Sequence, residues 1–502
     1  MSELKNQTIS GFKWNGLLVF TNLVLNALMI FILGYILSPE DFGLRAIIIF
    51  VLGLSKIITD FGISQAIIQH EKVTQPELNS IFTVNVLSGV IMFICVNLSA
   101  PLLADYYGAE ELKTLLHSAS LLFLIEPLGV VFIALLEKQL QFKQLALINM
   151  NKTWIMNVTI IVFALLGFQV YSFIIGQFIS TMFITVSLFW LFKKKKGWFP
   201  ALYLNFRSLK PYYAFGIYVS GKNILNYFGR NFDELIVGKL LGIDLLGYYS
   251  FAKQALDRVI DLVIQISTKV TYPVFCKIQQ GENAVIQFRK MYYKMTHLVA
   301  SAGLPIFAML FLIVPSAVPV VFGDKWEPSI IVMQVLALKG MVDILSAGFA
   351  TNALYAHHSS KTAFYVDLIL LPVRLITLIA ACYYGLSAVA FAYLLFVLLK
   401  ACILQVQVNR VCSMSWRDYL LQLRSPFLIS CGLAIICYGV QQFNDQLWLA
   451  VFAVAGYAAL YVLFTRLFNQ AIYMEVANEV RPMFNKLLKR KQKKIIRDGM
   501  GM

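Results

Sequence analysis

Lys253, Asp257, Asp261, Gln265 and Lys269 recur at every fourth residue inside a stretch that is otherwise apolar. In a helix this spacing lines them along one face with opposite charges adjacent. Such a stripe can bind an anion, carry a proton or small cation, or lock two helices together. Arg258 stands beside it, and a second stripe of Lys222, Asn226 and Arg230, followed by Asp233 and Glu234, lies in the preceding apolar stretch. Lys56 with Asp60, and Lys339 with Asp343, repeat the four-residue spacing. Arg374 and Lys400 have no acidic residue at that distance, and Glu126 and Asp367 complete the acids set in apolar surroundings.

The elements that must position these charges follow from composition. Of 502 residues, 59% are hydrophobic and 14% charged, and the mean hydropathy is +0.73, as in a polytopic membrane protein. A crossing takes about 20 mainly apolar residues, and the sequence predicts an all-α fold of about fourteen transmembrane helices. A charge at the bilayer centre costs roughly 2.5 to 3.5 kcal/mol on an insertion scale, so the charges must pair or line water. Many buried pairs make poor glue because both partners are desolvated. A water-filled, net-positive cleft avoids that cost and implies a hydrophilic, anionic cargo. Its candidate cations and amides are Lys56, Asn22, Asn226, Arg230, Lys253, Arg258, Lys339, Arg374 and Lys400. Asp60, Glu126, Asp233, Glu234, Asp257, Asp261, Asp343 and Asp367 are the acids that either pair with these or carry H+ or Na+.

The formal charge of +16 is a matter of topology rather than of nucleic-acid binding. With the N-terminus in the cytoplasm, Lys and Arg concentrate in the cytoplasmic connections and both termini, as the positive-inside rule requires. Only Arg45, Lys113 and Lys325 fall in or beside external connections. The run Lys193 to Lys196 and the tail LLKRKQKKIIR (Leu487 to Arg497) are the largest basic blocks, and both suit anionic lipid. The N-terminal segment reads as a retained first helix. Seven cysteines without a CxxC pair read as small core residues, and five histidines form no HExxH. SGKN (Ser220 to Asn223) lacks the glycine spacing of a phosphate-binding loop, so no ATP site is expected. Short external loops leave little room for the carboxylates of a membrane-embedded glycan transferase.

An offset of 204 residues superposes Asn22 on Asn226, Gly34 on Gly238, Leu37 on Leu241 and Gly43 on Gly247. Each copy reads as a polar-flecked helix, an external turn of five or six residues, and a second long helix. Six crossings separate the copies, so they enter the membrane in the same direction and make parallel repeats. The expected organisation is an N-lobe of helices 1 to 6 (residues 1–196) and a C-lobe of helices 7 to 12 (197–410), two pseudo-symmetric six-helix lobes around a central cleft. Helices 13 and 14 (411–470) and a basic cytoplasmic tail (471–502) follow. Pro127, Pro305, Pro315, Pro319 and Pro372 are expected to bend their helices, as static kinks or as hinges.

TISGFKW (Thr8 to Trp14), SPEDFGL (Ser38 to Leu44), DFGISQAIIQ (Asp60 to Gln69), NFDELIVGKLLGIDLLGYYSFA (Asn231 to Ala252), TYPVFCKIQ (Thr271 to Gln279) and VFGDKW (Val321 to Trp326) follow in this order. Together they resemble the Wzx-type polysaccharide exporters, above all the colanic-acid and teichuronic-acid subgroup, often labelled lipopolysaccharide biosynthesis proteins. These belong to the multidrug/oligosaccharidyl-lipid/polysaccharide exporter superfamily. The resemblance covers residues 1 to 480 and implies a multi-pass flippase of the bacterial cytoplasmic (inner) membrane, with both termini cytoplasmic. Its implied substrate is an undecaprenyl-pyrophosphate-linked oligosaccharide repeat unit, moved by alternating access for exopolysaccharide or lipopolysaccharide biosynthesis. It implies no cofactor beyond H+ or Na+ coupling. Membrane lipids and a polysaccharide polymerase with its chain-length machinery are the implied partners, without nucleic acid. The family motif carries Asp233 after Asn231; the neighbouring charges come from spacing alone. A cation-coupled multidrug or small-molecule antiporter of the same superfamily is the alternative, disfavoured because its cleft should be net acidic, and the glycan transferase is third.

Overall fold

The computed structural model describes residues 25–26, 28–70, 73–194, 198–278, 284–346, 349–357, 359–441 and positions 456, 457, 460, 461, 463 and 466. All regular structure among these residues is helical. Among the described residues nine helical stretches are long and apolar enough to cross a membrane, and a tenth is the pair Glu111–Ile125 and Pro127–Lys138, bent by 46° where Pro127 begins its second arm.

Contacts divide the chain into two compact units. The first takes the described residues of Met1–Arg258, Val321–Val332 and Val373–Ala392; the second takes those of Val259–Val320, Met333–Pro372 and Tyr393–Met502.

In the first unit, α1 covers 28–36, followed by α2 (Pro39–Asp60), α3 (Ile63–Gln69), α4 (Gln75–Tyr107), α5 (Glu111–Ser120), α6 (Leu122–Ile125), α7 (Pro127–Lys138), α8 (Phe142–Leu165) and α9 (Tyr171–Lys194). Then come α10 (Phe206–Leu241) and the first part of α11 (Ile243–Ile278). These two 36-residue helices carry the charged stripes and are too polar to count among the apolar spans. The connection expected over SPEDFGL shrinks to Leu37 and Ser38. Ser38 and Asp41 form a capping box, with Ser38 N donating to Asp41 Oδ2 at 2.8 Å and Asp41 N to Ser38 Oγ at 3.1 Å, and Pro39 takes the first helical position. Ser-x-x-Asp with Pro is a helix start, not a loop. Between α10 and α11 the connection is Gly242 alone, at φ 94°, where a side chain would be strained.

The two turns that share the offset of 204 meet each other. A methyl group added at Gly43 would overlap the carbonyl oxygen of Ile243, and one added at Gly247 would overlap that of Pro39. Pro39 and Ile243 are themselves 204 residues apart, so the contact is reciprocal, as a twofold relation demands. Gly34 and Gly238 extend it: the first faces the Phe322 ring and the second the Tyr107 ring. Each of these aromatics precedes a left-handed glycine, Gly323 (φ 86°) or Gly108 (φ 67°). Trp326 is fully buried beside this seam, stacked on Phe251 at 4.0 Å and edge-on to Phe42 at 5.1 Å, with Nε1 donating to Gly34 O at 2.7 Å. A second core of this unit gathers Ile67, Ile81, Phe82, Val131, Phe132 and Leu188 from α3, α4, α7 and α9.

The second unit holds the remainder of α11, most of α12 (Ala284–Phe322) and α13 (Glu327–Ser346), α14 (Phe349–Ala356), and parts of α15 (Ser360–Cys382) and α16 (Leu386–Val411), with α17 (Trp416–Gln441). Pro305, Pro315 and Pro319 lie inside α12 and Pro372 inside α15. Gly340 receives the Phe307 ring, and the buried Tyr292 hydroxyl donates to Gln405 Oε1 at 2.7 Å. Ala308 and Leu312 of α12 pack with Leu433 and Cys437 of α17 and with Tyr457 and Tyr461. Outward faces of the spans are apolar, as at Leu98, Leu102 and Ile435. These surfaces suit lipid, and the chain is a multi-pass membrane protein.

Candidate functional site

The charges of α10 and α11 meet across the Gly242 turn. Asp233 is fully buried, and its carboxylate accepts from Lys253 Nζ at 2.9 and 3.0 Å and from the Tyr249 hydroxyl at 2.7 Å. Lys253 also reaches Glu234 Oε1 at 3.2 Å and Arg230 O at 2.8 Å, which occupies all three of its donors. Arg374, from α15, brings Nη2 to 3.4 Å from Asp233 and donates through Nη1 to Gly229 O. Two cations and two carboxylates make the network formally neutral. Spacing along α11 predicts Lys253 beside Asp257; the structure directs Lys253 across the one-residue turn to Asp233 and Glu234 of α10. Arg374, without a partner at helical spacing, finds Asp233 on another helix.

Elsewhere Lys56 pairs with Glu126, at the bend before Pro127, rather than with Asp60. Asp60 accepts from Ser64 Oγ at 2.5 Å. Lys339 and Asp343 do form the four-residue pair, at 3.2 Å, with Lys339 Nζ 4.7 Å from the Tyr393 ring centre. Lys400 pairs with Asp367 at 2.7 Å. Lys222, Asn226 and Arg230 are all exposed along one face of α10; Arg258 is exposed, and Asp257 and Asp261 are half-buried on α11. Asn22 lies outside the described residues.

Sequence reasoning missed Arg45, which it assigned to the edge of an external connection. The short turn at Ser38 instead starts the helix early and carries Arg45 into α2, two residues past the close contact at Gly43. Its Nη1 donates to Gln254 Oε1 at 2.8 Å, and its guanidinium carbon lies 4.3 Å from the Phe173 ring centre. Its Nε is enclosed and has no hydrogen-bond partner. Gln254 and Arg258 are four residues apart on α11, so Arg258 follows one turn along the same face. Arg45 lines a cavity of about 290 Å³ inside the first unit, with Lys56, Glu126 and Gln177 as its other polar walls and Gly53, Met156 and Phe173 among the apolar ones. The signal available in the sequence was the helix start at Ser38: with it, Arg45 belongs to a span.

Long apolar helices, with ion pairs between them and a cavity walled by Arg45, Lys56 and Glu126, define a polytopic membrane protein that keeps charged groups among its spans. The chain belongs to the polysaccharide biosynthesis protein family, whose profile matches residues 32–331. It is 28% identical to the teichuronic acid biosynthesis protein TuaB of Bacillus subtilis (strain 168), over 94% of this chain and 98% of the relative. It is 25% identical to the lipopolysaccharide biosynthesis protein WzxC of Escherichia coli (strain K12), over 87% of this chain and 88% of that one. Among solved structures it shares its fold with the lipid II flippase MurJ in an inward closed conformation, at TM-score 0.71 and 15% identity, covering 91% of this chain and 99% of the other. An inward-facing multidrug resistance MATE family transporter matches at TM-score 0.52 and 14% identity, covering 78% and 96%.

Proposed function

We propose that this protein is a flippase that carries a polyprenyl-diphosphate-linked oligosaccharide across the bacterial cytoplasmic membrane for polysaccharide biosynthesis. Arg45, on the wall of a cavity it shares with Lys56 and Gln177 and with an enclosed Nε that no protein group accepts from, carries this reading. A buried donor without an acceptor costs about 1 to 3 kcal/mol, and a phosphoryl oxygen supplies the acceptor that the fold withholds. Arg offers a planar set of donors suited to phosphate, and Lys56 and Gln177 on the same wall add a second cation and an amide for the first sugar. Each sugar hydroxyl stripped of partners in hydrocarbon costs several kcal/mol, whereas the polyprenyl chain can stay in lipid throughout.

The names of the relatives, in teichuronic acid and lipopolysaccharide biosynthesis and in succinoglycan transport, support this substrate class. So does a fold shared with a protein named as a lipid II flippase. Under the proposal the halves 1–196 and 197–410 alternate in access, both termini are cytoplasmic, and H+ or Na+ entry couples through acids, of which Glu126 sits on the cavity wall. The neutral Asp233 network holds α10, α11 and α15 in register for this cycle; Arg230, Asn226 and Arg258, exposed in α10 and α11, face the aqueous path.

Export measured in a deletion strain complemented with Arg45→Gln or Arg45→Lys tests the reading. The Gln variant is expected to lose export at least tenfold, with the lipid-linked unit accumulating on the cytoplasmic side and membrane levels unchanged, and Lys to restore part of it. Full export by the Gln variant would remove Arg45 from the substrate path.

A further inference from the structure

We propose that residues 198–206, which lead into α10 and include its first residue, form an interfacial strap that binds anionic phospholipid headgroups. The inference rests on the chain's place in a membrane and not on its cargo. Trp198 anchors the strap: its ring lies 5.3 Å from Phe132 and 6.1 Å from Phe82, and Nε1 donates to Asn79 Oδ1 at 2.9 Å. From there the backbone runs extended along the start of α4. Ala201 N donates to Asn79 Oδ1 (3.2 Å), Tyr203 N to Thr83 Oγ1 (3.0 Å) and Asn205 N to Ser80 Oγ (3.1 Å). Alternate amides thus point at α4, as in a strand.

The large apolar side chains of the strap are open. Leu202 is 78% exposed and Phe206 69%, and Phe199, Tyr203 and Leu204 are exposed as well. Two arguments fix its depth. Water would disfavour five large exposed side chains of this kind within eight residues. Hydrocarbon would strand the amides between those bonded to α4, because extended backbone without a paired edge does not occur there. The headgroup layer accommodates both. α4 agrees, since its 33 residues span about 50 Å against a hydrocarbon core of about 30 Å, which leaves its first turns at the membrane surface.

Charge selects the lipid. Lys193 and Lys194 end α9, three residues ahead of the strap in sequence, both exposed, and Lys194 Nζ lies 5.0 Å from the ring centre of the exposed Trp190. Cations on an aromatic, apolar platform match phosphatidylglycerol in preference to a zwitterionic headgroup.

Photocrosslinking tests this: Leu202→benzoylphenylalanine in the full chain, reconstituted in vesicles of phosphatidylcholine mixed with phosphatidylglycerol, followed by mass analysis of the adducts. The expected product is a phospholipid adduct enriched in phosphatidylglycerol over its share of the vesicle. Adding Lys193→Gln and Lys194→Gln should reduce that enrichment several-fold while elution as a folded protein is unchanged. Adducts in proportion to lipid composition would overturn the anionic site. Absence of any lipid adduct, or crosslinks in cell membranes to a protein instead, would overturn the strap as a lipid contact.

Discussion

Gly43 and Gly247 face each other's turns reciprocally: Gly43 lies on the carbonyl of Ile243 and Gly247 on that of Pro39. Both contacts are with backbone, which cannot rotate aside, so even one methyl group must push the turns apart. Overpacking of this kind costs about 1 to 3 kcal/mol.

Gly43→Ala and Gly247→Ala are therefore each expected to lower the melting temperature of the purified protein. Because the two glycines serve one seam, the double variant should lose less than the sum of the singles, the signature of coupled sites. Strict additivity in thermal melts would mean that the two contacts are independent and that no twofold seam joins them.

Asp233 and its partners make a second prediction. Removing one member of a buried ion pair leaves an uncompensated charge and costs about 3 to 5 kcal/mol. Lys253→Met should thus sharply reduce the amount of folded protein, and Asp233→Asn added to it should recover much of the loss, since Arg374 and Glu234 still balance. Should Lys253→Met instead melt like the parent and fail only in export, the lysine would be serving the cargo and not the fold.

The sequence displayed these features unevenly, for a physical reason. Spacing reports neighbours on one helix, so the Lys339–Asp343 pair was legible as it stands. It is blind to partners on other helices, so Lys253 with Asp233, Arg374 with Asp233 and Lys56 with Glu126 were not. The offset of 204 was legible because small residues recur where the two turns touch, although spacing gave no hint that they touch each other. Arg45 was misplaced by reading SPEDFGL as loop, when its capping residues already marked a helix start.

The break between α2 and α3 offers a test in which packing and intrinsic preference oppose each other. Phe61 adopts φ 45° and Gly62 φ 68°, and the left-handed region costs an L-residue such as Phe roughly 1 to 2 kcal/mol, so surrounding contacts must hold the break in place. One such contact is visible: a methyl group on Gly216 of α10 would overlap Phe61 O, and one on Gly62 would lie 2.7 Å from Gly216 O. Gly62→Ala combines a strained backbone with a clash and cannot separate the two. Gly216→Ala can, because Gly216 sits inside a helix, where Ala is intrinsically favoured over Gly by about 1 kcal/mol. A lower melting temperature for Gly216→Ala can therefore come only from the lost approach of α10 to the break, and this is the expected result. A rise would show that α10 yields at this point and that the left-handed pair at Phe61 and Gly62 is held from elsewhere.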